Sequence, residues 1–199
     1  MLGPLALLLS MAALPETGRP TSLPPYMADV PNPEARQTAL SEFEEALEQY
    51  ALLHRRLERE RPPKEPVDDP AVFIQAAHDL ANAIRNARPD ARAGDIFTPG
   101  PARMIRQIIT QALQRYGYDA RDVIRVLNDE RLPGAKLPVV NGRYDRRLGA
   151  WMWPALLQAL PPLPQELEYR IVDADLVLID LRADLVVDIL ENAMPVEDE

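Results

Sequence analysis

The chain has 199 residues, with 22 Lys and Arg against 31 Asp and Glu, which gives a formal net charge of -9. This length suits one folded domain with extensions, and 47% apolar residues are enough to bury a core. The acidic balance, without any basic run, argues against nucleic acid as a partner. The sequence contains no cysteine, which excludes a disulfide framework and a lipid anchor on cysteine.

The N-terminal region predicts export. Residues 1–14 contain the apolar run LALLLSMAAL, which is typical of a signal peptide but too short to span a bilayer, so we expect no transmembrane segment. Because no Lys or Arg precedes the run, an upstream start or a simple apolar terminus are the alternatives. Residues 15–31 are rich in proline and lack apolar periodicity, which predicts a disordered arm. We therefore expect a periplasmic or extracellular protein.

Apolar residues repeat at intervals of three and four from residue 32 to about residue 61, which predicts one long helix. Asn32 fits the N-cap position and Pro33 the first helical position, while the prolines after Arg61 end the helix. The predicted buried stripe consists of Leu40, Phe43, Leu47, Tyr50, His54 and Leu57.

Three further helices are predicted before residue 131. The second begins with Asp69 as N-cap and ends before Pro89, the third runs from Thr98 to Gly117, and the fourth follows Asp119. Their apolar stripes are Phe73, Ala77, Leu80, Ile84 and Ala87 on the second helix, Ile105, Ile108, Ile109, Ala112, Leu113 and Tyr116 on the third, and Val123, Val126 and Leu127 on the fourth.

Beyond residue 130 the pattern changes from helical to strand-like. Residues 131–149 are rich in Pro and Gly and predict a loop, and a short helix with Pro154 near its start follows. Three runs rich in Val, Ile and Leu then predict strands at residues 167–172, 176–180 and 185–190. A rival interpretation makes Asp184 the N-cap of a helix, but the β-branched residues after it favour a strand.

Two-residue turns at Asp173-Ala174 and Arg182-Ala183 would place Tyr169 opposite Leu178, and Leu178 opposite Val187. One face is then almost wholly apolar, and the other carries Glu168, Arg170, Asp175, Asp184 and Asp188. Neither turn contains Gly, so a longer bulged loop would alter the register. The predicted fold class is α+β, with four to five helices in residues 32–160 packed on a small C-terminal three-stranded antiparallel meander in residues 167–190. A single domain would span residues 32–193, followed by an acidic tail in residues 194–199.

The C-terminal block resembles that of periplasmic proteins of the nickel/cobalt-homeostasis type, in which a YRIV-like strand precedes DLVLID-like and VVDIL-like strands. The corresponding pieces are residues 169–172, 175–180 and 186–190. The run LPPLPQELEYR also resembles exported bacterial proteins of unknown function. This chain lacks a Gly in either turn and any His-rich or Cys-rich stretch. The resemblance therefore implies a periplasmic meander and transfers no functional residue.

One candidate binding surface lies in the run NGRYDRRLGAWMW. Arginine beside aromatic residues is a composition typical of protein interfaces, because both types supply much contact energy at little entropic cost. The alternative is that the tryptophans fill the core while the arginines pair with local acids. The candidate residues are Arg143, Tyr144, Arg146, Arg147, Trp151 and Trp153.

A second candidate site comes from the tail, because residues 160–199 hold eleven Asp and Glu against two Arg. Acids gathered at one end of the meander could bind a hard divalent cation such as calcium through their carboxylate oxygens. The alternative is that acids occupy turns and solvated strand faces, since the EF-hand pattern is absent. The candidate metal ligands are Asp173, Asp175, Asp180, Asp184 and Asp188. The sequence indicates no other cofactor.

Catalytic chemistry finds little support in the sequence. The only serines are Ser10, Ser22 and Ser41, and none has the context of a nucleophile. His54 and His78 lie on predicted helices without zinc-ligand spacing, which favours structural roles. We therefore predict a non-enzymatic protein that binds another protein or itself through the helical stripe, the Arg/Trp loop or the uncovered face of the meander. Divalent-metal binding and an uncharacterised hydrolase activity are the alternatives.

Overall fold

A computed structural model describes residues 32–61, 70–149 and 152–196. The signal-like segment, the Pro-rich arm, the predicted cap Asp69 and the last three residues of the acidic tail lie outside the described residues. Five α-helices precede a three-stranded antiparallel sheet, which confirms the α+β class. Across the described ranges, no helix combines the length and the apolarity needed to cross a membrane.

Helix α1 spans Pro33–Arg59, close to the predicted limits. The side chain of Asn32 accepts a hydrogen bond from the Ala35 amide at 3.1 Å, which satisfies one of the free amides of the first turn. All six predicted stripe residues are buried. The stripe packs against helix α3, Pro99–Tyr116. The ring of Phe43 stacks on that of Phe97, which lies just before α3, at 5.6 Å between centroids.

Helix α2 spans Pro70–Ala87, and its buried residues all lie in its second half. Leu80 and Ile84 are buried as predicted, but Phe73 is 66% exposed and Ala87 is also exposed. The predicted stripe is therefore wrong at both ends. The 3-4 periodicity continues where no neighbouring element among the described residues covers the helix, because periodicity alone does not reveal how far a neighbour extends.

Helix α3 ends at Gly117, whose left-handed φ of +67° is the conformation that glycine adopts without strain. Thr98 occupies the N-cap position, but its side chain makes no capping hydrogen bond. Helix α4, Ala120–Asp129, is capped by Asp119, which accepts hydrogen bonds from the amides of the first turn. Helix α5, Pro154–Ala159, begins at the predicted proline.

The sheet consists of β1 (Leu167–Val172), β2 (Asp175–Asp180) and β3 (Leu185–Leu190), in the order β1-β2-β3. The strand prediction is confirmed, and the rival helix after Asp184 is wrong. Tyr169 pairs with Leu178, which confirms the predicted β1–β2 register.

The β2–β3 register departs from the prediction because of a bulge. Ile179 pairs with Val186 as expected, but Leu178 then pairs with Asp188 instead of Val187. The extra residue exchanges the two faces of the sheet for the side chains from Asp188 onward. Leu190 joins the core on the helical side, and Asp188 is fully buried and hydrogen-bonded to the α2–α3 loop. The predicted position of Asp188 on the outer face is therefore wrong.

Candidate functional site

The outer face of the sheet is covered by the loop of residues 131–149. Backbone hydrogen bonds attach this loop to β3: Asn141 donates to the Val186 carbonyl, and Val186 donates to that of Gly142, both at 2.9 Å. Tyr144 and Leu148 are buried in a second apolar cluster with strand residues Val172, Val177, Ile179 and Val186. The expectation of an uncovered meander face is therefore wrong. The Pro- and Gly-rich loop has no strand-like pattern from which its pairing with β3 could be predicted.

The predicted arginines lie on this loop, and each of the three pairs with an acid. The Nε atoms of Arg143 and Arg146 contact the carboxylate of Asp184 at 2.7 and 3.3 Å. Arg147 contacts Asp145 at 2.7 Å, and these contacts, together with the Lys136 amide, hold the pKa of Asp145 well below its usual range. The side chains of Arg143 and Arg146 nevertheless remain 61% and 77% exposed. They can therefore contact a partner in solution.

Tyr144 differs from the arginines because it is buried. Its ring packs in the outer cluster, and its hydroxyl donates to the Gly149 carbonyl at 3.1 Å. Burial raises the pKa of Tyr144, so the hydroxyl keeps its proton. This candidate residue anchors the loop rather than presenting a contact surface.

Trp153, itself half-buried against the core, contacts two exposed tyrosines that sequence reasoning missed. Its ring meets that of Tyr118 edge-on at 4.0 Å between centroids, and that of Tyr116 at 6.3 Å. Tyr116 and Tyr118 are 50% and 51% exposed. We call these three residues the aromatic patch. Helical spacing placed Tyr116 in a buried stripe, and only its position beside the terminating Gly117 could have indicated exposure.

The arginines and Trp153 lie near opposite ends of α4. Tyr118 precedes the helix, whereas Leu132, which follows it, donates its amide to the Arg147 carbonyl at 2.8 Å. Ten helical residues extend about 15 Å. The single Arg/Trp surface of the sequence prediction is thus divided in two, and Trp151 lies outside the described residues.

The structure does not gather the five candidate metal ligands. Asp173 contacts Arg131 at 2.9 Å and Asp175 accepts from the Asn192 amide at 2.8 Å, both at the β1–β2 end of the sheet. Asp180 and Asp184 lie at the other end, roughly 16 Å away along a six-residue strand. In the part of the chain that the structure describes, no group of three His, Asp or Glu could hold a metal ion.

Asp180 forms a buried network with α1. Its Oδ2 accepts from the Tyr50 hydroxyl at 2.8 Å and lies 2.6 Å from His54 Nδ1, while its Oδ1 accepts from the amides of Arg182 and Ala183. Burial alone lowers the pKa of His54, but the hydrogen bond and charge of Asp180, with the charge of Glu58, raise it overall. His54 and Asp180 are both 0% exposed, so this network ties the sheet to α1 and is closed to a substrate.

Asp188 ties the same sheet to the α2–α3 loop. Its carboxylate accepts hydrogen bonds from the amides of Gly94, Ile96 and Phe97, each at 2.7 Å. Burial raises the pKa of Asp188, although these amides oppose the shift by stabilising the ionised form. The β-strand pattern gave no indication of this role, because the bulge that turns Asp188 inward has no sequence signature.

Comparisons of the chain with protein-family models, with curated proteins and with solved structures found no match. The resemblance of the C-terminal block therefore stays a prediction, and the function is inferred from the geometry of the chain itself.

Proposed function

We propose that the protein is a non-enzymatic, exported protein that binds another protein through the aromatic patch. The observation that carries the proposal is the exposed edge-on packing of Tyr116 and Tyr118 around Trp153. Large aromatic side chains at the surface gain much free energy when a partner covers them, and they dominate the energetics of many interfaces.

Leu157 extends the aromatic patch along α5. It lies one helical turn after Trp153, to whose carbonyl its amide donates at 3.0 Å, and it is 50% exposed. Contiguous exposed apolar side chains of this kind mark interaction surfaces more often than isolated ones do. The patch would supply the anchor of the interface, and the exposed polar residues of α3 and α4 its rim.

Two further observations support the proposal. The first favours binding over catalysis, and the second favours export. His54 is enclosed between α1 and β2, where its partner Asp180 orients it for a structural role. The apolar run of residues 5–14 supports export. Cell fractionation tests this part of the proposal, and full-length chain that retains residues 1–12 in the cytoplasmic fraction would contradict it.

The proposal is tested by capturing partners from envelope extracts with three forms of the protein. The binding variant is Tyr116→Ser/Tyr118→Ser, and the matched control is Leu137→Ser/Val139→Ser, which removes two side chains that are 62% and 64% exposed on another surface. We expect one partner to be retained by the wild type and the control and lost by the binding variant. Equal retention by all three would contradict the proposal.

Self-association is tested by light scattering of the same three proteins across a wide concentration range. If the partner is a second copy, the mass of the wild type and of the control rises with concentration, and that of the binding variant stays monomeric. Circular dichroism of each protein verifies that the substitutions leave the helices intact.

A further inference from the structure

A small cavity lies between the 3₁₀ turn Arg146–Leu148 and the turn that joins β2 to β3. It encloses about 120 Å³, well below the roughly 300 Å³ at which sites for drug-sized ligands begin. Arg146 and Arg170 both line it, and Ile179 and Leu181 contribute apolar wall. The cavity is independent of the aromatic patch, and no residue is shared between them.

Arg170 reaches this cavity from β1 with unmet hydrogen-bonding capacity. Only 10% of its side chain is exposed, and its Nη1 donates to the Glu168 carboxylate and to the Tyr169 carbonyl. Its Nε is buried without a partner. Burial and the nearby charge of Arg146 lower the pKa of Arg170, but a guanidinium keeps its proton in proteins. An anion in the cavity would therefore offset the repulsion between Arg146 and Arg170.

The charges around the cavity leave one positive charge unbalanced. Arg143 and Arg146 share a single carboxylate, that of Asp184, and each contacts it through Nε. Arg170 faces the carboxylate of Glu168. With the buried Asp180 left aside, three guanidinium groups meet two carboxylates, which matches the charge of one bound monoanion.

Asp180 also lines the cavity but does not oppose an anion strongly. Its Oδ2 is held by Tyr50 and His54 on the helical side of the sheet, and its Oδ1 accepts from the amides of Arg182 and Ala183. Both oxygens are therefore engaged by four donors, which leaves the carboxylate of Asp180 turned away from a ligand in the cavity.

We propose that this cavity binds the carboxylate of a small organic acid between Arg146 and Arg170. The two guanidinium groups supply charge-assisted donors to the carboxylate oxygens, and the ring of Tyr144 with Ile179 and Leu181 accommodates a short hydrocarbon body. The apolar wall and the single unbalanced charge favour a monocarboxylate over inorganic phosphate, which carries more negative charge and has no apolar part.

The proposal is tested by titrating the full chain with butyrate and following backbone amide chemical shifts. We expect saturable shifts at Gly149, Leu181 and Asp184, and binding at least about tenfold weaker in Arg146→Gln and in Arg170→Leu. The matched control is Arg125→Gln, which removes one charge from a side chain that is 70% exposed on α4. Should Arg170→Leu fail to fold, Arg146→Gln decides the test by itself.

Three further probes define the ligand class. Butyramide, which has the same shape without the charge, is expected not to bind, and inorganic phosphate is expected to bind more weakly than butyrate. The peptide N-acetyl-Gly-Ala with a free C-terminal carboxylate distinguishes a peptide source from a free acid: binding by either supports the proposal and identifies the source. Absence of saturable binding by both, equal weakening in Arg125→Gln, or tighter binding of phosphate would overturn it.

Discussion

The two faces of the C-terminal sheet carry acids under opposite conditions. On the helical face, Asp180 and Asp188 are fully buried, and all of their carboxylate oxygens accept hydrogen bonds from fixed donors. On the outer face, Asp184 pairs with two exposed arginines of the covering loop. A buried carboxylate is retained only where hydrogen-bond donors offset the cost of its desolvation, so the inner acids stabilise the fold. The outer arginines are exposed, and they therefore stay available to a ligand.

The largest expected effect is on the inner face, in Asp180→Ala. The substitution leaves the Tyr50 hydroxyl, the His54 ring and two turn amides without their acceptor inside the protein. Loss of one partner from such a buried network costs roughly 3–5 kcal/mol. Urea unfolding followed by circular dichroism measures the change, and a loss below about 1 kcal/mol would remove the structural role of this acid.

The elements that local chemistry determines could be predicted from the sequence. Asn32, Pro33 and the six-residue stripe of α1 were predictable because capping and 3-4 periodicity act within one helix. The strands of the meander were predictable because runs of β-branched residues and turn residues alternate. The candidate arginines were predictable as exposed side chains on a loop.

Features that depend on neighbouring elements could not be predicted in this way. The bulge beside Leu178 and Asp188 forms where β3 meets both β2 and the α2–α3 loop, and no residue type requires it. Phe73 is exposed because none of the described elements covers the start of α2. The cavity joins Arg146 and Arg170 from segments 24 positions apart, and only the packing of the loop on the sheet brings them together.

The next effect concerns the outer face, where Tyr144 anchors the loop. Tyr144→Ala removes a buried ring from the outer cluster and should cost roughly 2–4 kcal/mol. Tyr144→Phe keeps the ring and loses only the hydrogen bond to Gly149, at about 1 kcal/mol. Similar losses in both variants would show that the hydroxyl, rather than packing, holds the loop.

The inner network also predicts a pH dependence. Because the pKa of His54 is raised in the folded protein, its contribution to stability is fully present below the unfolded value of about 6.5 and is lost as pH rises through the folded pKa. The free energy of unfolding of the wild type should therefore fall as pH rises above about 6.5, and that of His54→Gln should fall less. The exposed His78 remains in both proteins as an internal control, and parallel pH profiles would contradict the pairing with Asp180.

The smallest expected effect is that of Arg143→Gln on stability. Arg143 is 61% exposed, and solvent-exposed ion pairs contribute about 0–1 kcal/mol. Thermal unfolding should show a small change at low salt and a smaller one at high salt, because dissolved ions screen an exposed pair. A loss above about 2 kcal/mol would mean that the outer charges stabilise the fold as the inner ones do.

The contrast between the two faces is tested most directly by comparing the free energies of unfolding of Asp188→Asn and Asp184→Asn in urea. Both substitutions replace a carboxylate by an amide of the same shape within β3 or its preceding turn. Asp188→Asn replaces one carboxylate oxygen by an amide donor, so one or two of the three loop amides lose their acceptor, and the cost should be roughly 2–4 kcal/mol. Asp184→Asn weakens contacts with two arginines that are 61% and 77% exposed, and it should cost less than about 1 kcal/mol. Equal losses in the two variants would contradict the division into a structural inner face and a ligand-accessible outer face.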